Sequence, residues 1–170
     1  MTAVELLARA LEELHRAMLQ DIEPLTPEHL AWRPAPQANP IGFLFWHFMR
    51  TEDNMVRRLQ GQTSIWEGEG WDKRFGLPAQ EQGTGYTSEQ VDQFTLPPLG
   101  EFVPYAEKVI ANTADFLKNL DDERLGQPLD PERPTRNIGT MLQSFVLAHG
   151  WWHLGEIKYI KGMLGMPGPR

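Results

Sequence analysis

The sequence predicts an all-α protein, a four-helix bundle with one long connection between its second and third helices. Two observations carry this reading: apolar residues recur at spacings of three and four over four separate stretches, and no stretch alternates apolar and polar residues as a half-buried strand does. The length fits one domain over residues 1–170, and 41% hydrophobic against 23% charged residues gives enough apolar material to close a core.

The first helix is expected over 3–20, where Val4, Leu7, Leu11, Leu14 and Met18 wind onto one stripe. The second is expected over 40–60: Asn39 suits the cap, Pro40 the first helical position, and Ile41, Leu44, Phe48, Met55 and Leu59 line the inner face up to Gly61. An excursion over 61–98 follows, too long for a hairpin between antiparallel helices. It either crosses the bundle, making the second and third helices parallel, or forms a disordered flap. Trp66, Trp71, Phe75 and Tyr86 stand in it among glycines, and either form a lid over a cavity or anchor the loop to the bundle. Neither Gly68-x-Gly70 nor Gly83-x-Gly85 opens a helix after a strand, so neither reads as a phosphate-binding loop. The third helix is expected over 101–120, with Phe102, Tyr105, Val109, Phe116 and Leu120 inward and Pro104 in its first turn. The fourth, over 138–164 after Asn137, places Ile138, Met141, Leu142, Phe145, Trp152, Ile160 and Met163 on one side until Gly165 and Pro167 stop it.

Composition excludes several functions. Cysteine is absent, which removes disulfides, thiolate metal sites and cysteine nucleophiles, so any metal must use histidine or carboxylate. The start carries Glu5 and lacks a basic region before an apolar run, which places the protein in the cytoplasm. The most apolar stretch, 41–49, is about half a membrane span, so no membrane association is expected. A net charge of −7 and basic residues in isolated pairs argue against nucleic acid as a partner.

The five histidines are the chemically informative residues. His149 and His153, four apart, stack on one helix face in chelate geometry. In a projection of about 100° per residue, His149, His153 and Glu156 fall about 40°, 80° and 20° from Phe145, inside the apolar arc. Burying three polar groups without partners costs about 1–3 kcal/mol each. The groups therefore either hold a metal ion or hydrogen-bond to one another and to neighbours. His47, within Phe43-Leu44-Phe45-Trp46-His47-Phe48, is the third candidate ligand, on a different helix. His15, beside Glu12, Glu13 and Arg16, and His29, beside Glu28, read as surface residues.

The order Asn39-Pro40-Ile41-Gly42-Phe43-Leu44-Phe45-Trp46-His47, then Ala148-His149 and His153-Leu154-Gly155-Glu156-Ile157, resembles the DinB/YfiT-like superfamily of bacterial four-helix bundles. The likeness extends over nearly the whole chain, including Leu25-Thr26-Pro27-Glu28-His29-Leu30-Ala31-Trp32-Arg33-Pro34. The resemblance implies parallel second and third helices, a divalent metal held by His47, His149 and His153, and frequently a homodimer. Characterised relatives include metal-dependent S-transferases that use a low-molecular-weight thiol, and proteins without a known substrate, so the family alone does not name the reaction.

Three imidazoles leave a coordination position open, and they suit Zn, Ni or Fe. Residues 150–152 are Gly, Trp and Trp, so no glutamate lies between the helical histidines as it does in zinc proteases. Glu156 is the candidate catalytic group, as proton acceptor or as the residue that orients His153, with Glu52 and Asp53 as poorer choices. No serine sits in a nucleophile elbow. The expected function is metal-dependent chemistry on a small-molecule substrate, of thiol S-transferase or hydrolase type. The competing class is a non-enzymatic metal-binding or stress-induced dimeric protein. Trp151 is expected to face outward, at a subunit contact or beneath the excursion.

Overall fold

The computed structural model describes residues 1–166. In chain order its helices are α1 (Ala3–Ile22), α2 (Pro27–Ala31), α3 (Ile41–Leu59), α4 (Ile65–Gly68), α5 (Trp71–Phe75), α6 (Ser88–Gln93), α7 (Leu99–Lys118), α8 (Asp122–Gly126), α9 (Ile138–Leu142) and α10 (His149–Met163), the last two joined by a π-helical stretch, Gln143–Ala148. No β-strand occurs among the described residues, only an isolated bridge between Pro128 and Asn137. No described helix is long and apolar enough to cross a membrane.

The long helices make an all-α four-helix bundle in which α1 and α3 each pack against α7 and against the last helix. Phe45 meets Phe102, and further along both helices Arg57 meets Asn112, so α3 and α7 run parallel. Residues 61–98 are therefore a crossover. On the other side Leu14 approaches Gly150 and Asp21 pairs with Lys161, which makes α1 and α10 parallel as well.

Local chemistry sets the helix ends. Thr2 accepts from the Glu5 amide while Glu5 accepts from the Thr2 amide, a reciprocal cap, and α1 runs two residues beyond the expected end at 20. Pro40 occupies the cap of α3 rather than its first turn, leaving Asn39 outside and no side-chain cap bond. α7 begins at Leu99, before the expected 101, so Pro104 lies in its second turn; its missing N–H frees only the carbonyl of exposed Gly100. Gly165, at φ +73°, ends the last helix, and Pro167 lies outside the described residues.

The last helix departs from the sequence reading. Phe145, Trp152 and Met163, expected inward, are 46%, 70% and 51% exposed. Val146, Gly150, Leu154 and Ile157 fill the core in their place. The cause is the π-helical stretch, which contains Phe145: its wider turn inserts one residue, shifts the residues within it and rotates those beyond it by about 100° relative to a uniform α-helix. His149 and His153 are thereby turned from the bundle's centre to the flank that faces α3.

This flank is held close by Gly150. A Cβ there would stand 2.5 Å from Leu14 and 2.7 Å from Phe48, so only glycine permits the approach of α10 to α1 and α3. Gly150→Ala is expected to destabilise by about 1–3 kcal/mol through overpacking. Gly155→Ala, where a Cβ meets nothing within 4 Å, is expected to stabilise by about 0.5–1 kcal/mol through helix propensity. Urea denaturation of both variants measures the contrast.

The excursion is anchored along its length. Trp66 is fully buried, with its ring 5.0 Å from that of Tyr105, and Trp71 and Phe75 complete the cluster over α7. Asp53 of α3 accepts from the backbone amides of Ile65 and Trp66, both at 2.9 Å, which pins the start of α4. Arg50, also fully buried, donates to the carbonyls of Ala79 and Glu81, and Tyr86 packs on Phe43 and Trp46. The aromatic side chains thus work as anchors.

Candidate metal centre

His47 on α3 and His149 and His153 on the first turns of α10 bring their Nε2 atoms together. His149 Nε2 lies 3.2 Å from that of His47 and 2.8 Å from that of His153. One donor atom from each ring fits within a span of 4.8 Å. Tetrahedral zinc with bonds of about 2.0–2.1 Å separates its nitrogen ligands by about 3.3 Å, close to the spacing between His47 and His149.

The neighbours of two rings fix which nitrogen faces the centre. His47 Nδ1 hydrogen-bonds the carbonyl of Gln82, from the excursion. His153 Nδ1 lies 2.6 Å from Oε2 of Glu156, one turn on. A carbonyl and a carboxylate only accept, so both Nδ1 atoms carry the hydrogen and both Nε2 atoms present lone pairs. His149 Nδ1 is buried without a well-formed hydrogen bond. Three imidazole nitrogens converging on one point cannot satisfy one another with the single hydrogen that His149 can offer. A cation resolves the conflict, so the donor set fits a divalent metal.

Electrostatics favour the neutral, ligating form. Burial pushes His47 below the ordinary imidazole value, partly opposed by the Gln82 carbonyl. His149 is lowered to about 4, first by burial and then by the nearby His153 and His47.

The structure brings all three predicted ligands and Glu156 together, and places the other candidates elsewhere. Glu52 and Asp53 are fully buried but bond to His15 and Thr113, and to the start of α4, respectively. His29 serves the cap of α2 through the Thr26 amide. His15 is not a surface residue: it is 5% exposed and paired with Glu52 across the bundle. Its spacing of four from Leu11 and three to Met18 already put it beside the core stripe, a signal outweighed by its charged neighbours.

The Gln82 carbonyl is the functional group that sequence reasoning missed, because a backbone oxygen carries no residue signature. It is positioned by Asn54, which donates to the Gln82 side chain at 2.7 Å, and by Gly83 at φ +83°. A Cβ on Gly83 would lie 2.7 Å from Phe43 and 2.8 Å from Trp46. Gly83→Ala is expected to displace this turn and weaken divalent-metal affinity about 10–100-fold, the usual effect of losing a partner that orients a ligand. Competition with a chromophoric chelator measures it; unchanged affinity would show that Gln82 does not orient His47.

The sequence itself decides the family, because the model of the DinB superfamily matches residues 10–157. The chain belongs to the DinB superfamily. A crystal structure of a conserved protein from Enterococcus faecalis has the same DinB-like fold, with a TM-score of 0.84 at 21% identity, covering 97% of this chain and 99% of that one. No curated protein matches the sequence. Within this DinB bundle, the parallel α3 and α7 and the turned α10 deliver the three histidines to one flank.

Proposed function

We propose that this protein is a divalent-metal-dependent enzyme acting on a small molecule, of thiol S-transferase or hydrolase type, with His47, His149 and His153 as the metal ligands. The observation that carries the reading is the convergence of three Nε2 atoms, two of them fixed as lone pairs by Gln82 and Glu156. A three-imidazole set leaves a position free for substrate, unlike a closed structural site. When bound, Zn, Ni or Fe supplies a Lewis acid that lowers the pKa of an incoming water or low-molecular-weight thiol. The chain's own residues do the rest. Gln82 and Glu156 hold two ligands in the ligating tautomer, and Oε1 of half-exposed Glu156 has no hydrogen-bond partner among the described residues, so it is available to accept a substrate proton.

A homodimer is the working form proposed, supported by exposed aromatic residues of the last helix: Trp152 and Tyr159 stand seven residues apart, with Trp151 40% exposed beside them. A non-enzymatic metal-binding protein is the competing reading.

Assays of the metal-loaded protein against thiol plus electrophile, and against esters, separate the two. Turnover lost in Glu156→Gln with metal still bound supports the enzyme. Stoichiometric metal without turnover across thiols and esters supports the binding protein.

A further inference from the structure

A second histidine constellation lies outside the metal centre. His15 Nε2 on α1 is 2.8 Å from Oε2 of Glu52 on α3, whose other oxygen accepts from Thr113 Oγ1 of α7 at 2.6 Å. His15 is 5%, Thr113 1% and Glu52 0% exposed, so the trio is buried where three helices meet. The carboxylate accepts only, so Nε2 of His15 carries the hydrogen of that bond. Nδ1, the ring's other polar atom, has no hydrogen-bond partner among the described residues.

His15 and Thr113 form part of the wall of a groove of about 910 Å³ between α1 and α7. The remaining wall is chiefly apolar, with Ala8, Leu11, Leu19, Ile110 and Leu117. Its volume falls within the range of small-molecule pockets, about 300–1,000 Å³. The groove's charged lining, Glu5, Glu12, Asp121 and Asp122 against Arg16 and Lys118, disfavours anions. Phe48, whose ring is 6.4 Å from that of His15 and 6.3 Å from that of His149, separates this place from the metal centre.

We infer that the α1/α7 groove binds a neutral, mostly apolar alcohol or phenol, lying along Leu11 and Ile110 with its hydroxyl donating to Nδ1 of His15. Glu52 and Thr113 set the ring's orientation, so that the acceptor is presented before the ligand arrives.

The test titrates the full-length protein with 4-pentylphenol and with its methyl ether, which has nearly the same body and no donor, by calorimetry and by NMR of histidine-labelled protein. The expected result is saturable binding at one site, a shifted His15 Nδ1 resonance, and binding of the ether about tenfold weaker, the loss of one hydrogen bond. His15→Phe is expected to abolish the preference for phenol over ether. Ala114→Trp, which fills the groove from an exposed position, is expected to abolish binding of both while leaving the unfolding midpoint unchanged. It keeps the test decisive if His15→Phe does not fold. Absence of saturable binding, equal affinity for phenol and ether, or binding unchanged in Ala114→Trp would overturn the proposal. So would a wild-type dimer that Ala114→Trp converts to monomer, since the groove would then be a subunit contact.

Discussion

Replacing Asp53 by alanine is expected to lower the free energy of unfolding by about 3–5 kcal/mol, the cost of leaving a buried charge without its partner. Asp53 is fully buried and accepts from the amides of Ile65 and Trp66 and the Tyr105 hydroxyl, each at 2.9 Å, and from Arg50 at 3.3 Å. Burial pushes its carboxyl above the ordinary value, against these hydrogen bonds. Removal of one partner from a buried ion pair is costly because it leaves the other charge buried and uncompensated. In the alanine variant the Arg50 guanidinium, fully buried 4.8 Å from the centre of the Trp66 ring, has no counter-charge, and two amides at the start of α4 lose their acceptor. Urea denaturation measures the loss. A change below about 1 kcal/mol would mean that Arg50 reaches solvent and the excursion is not pinned at this point.

His149→Ala is expected to weaken divalent-metal binding by more than about 100-fold, beyond the 10–100-fold expected for Glu156→Ala, which removes the partner that orients His153 and no ligand. The order follows from the geometry. His149 is the ring whose Nε2 meets both others, whereas Glu156 reaches the centre only through His153. The depressed proton affinities of His47 and His149 mean that protons compete weakly for these nitrogens at neutral pH. Chelator competition across the variants checks the ranking. Equal losses for His149→Ala and Glu156→Ala would place the metal on other donors.

How much of this was legible in the sequence depended on how local each signal is. The four long helices follow from spacings of three and four, and they appear within a few residues of the expected ends. Chelate spacing pointed to His149 and His153, and an apolar helical context pointed to His47. The rotation of α10 was hidden, because a projection at a constant angle has no place for the extra residue of the π-helical stretch, so Phe145, Trp152 and Met163 were assigned to the wrong face. Helices α4, α5 and α6 span only four to six residues, too few to show a period. The buried pairing of His15 with Glu52 and the Gln82 carbonyl on His47 join positions 37 and 35 residues apart, and such contacts exist only once the bundle has formed.

The most direct test is elemental analysis of untagged protein purified without chelators, wild type beside the His149→Ala, His153→Ala double variant. The result expected is about one equivalent of Zn, Ni or Fe in the wild type and none in the variant. Wild-type protein without stoichiometric metal even after reconstitution, or an equal metal content in the double variant, would contradict a three-histidine centre.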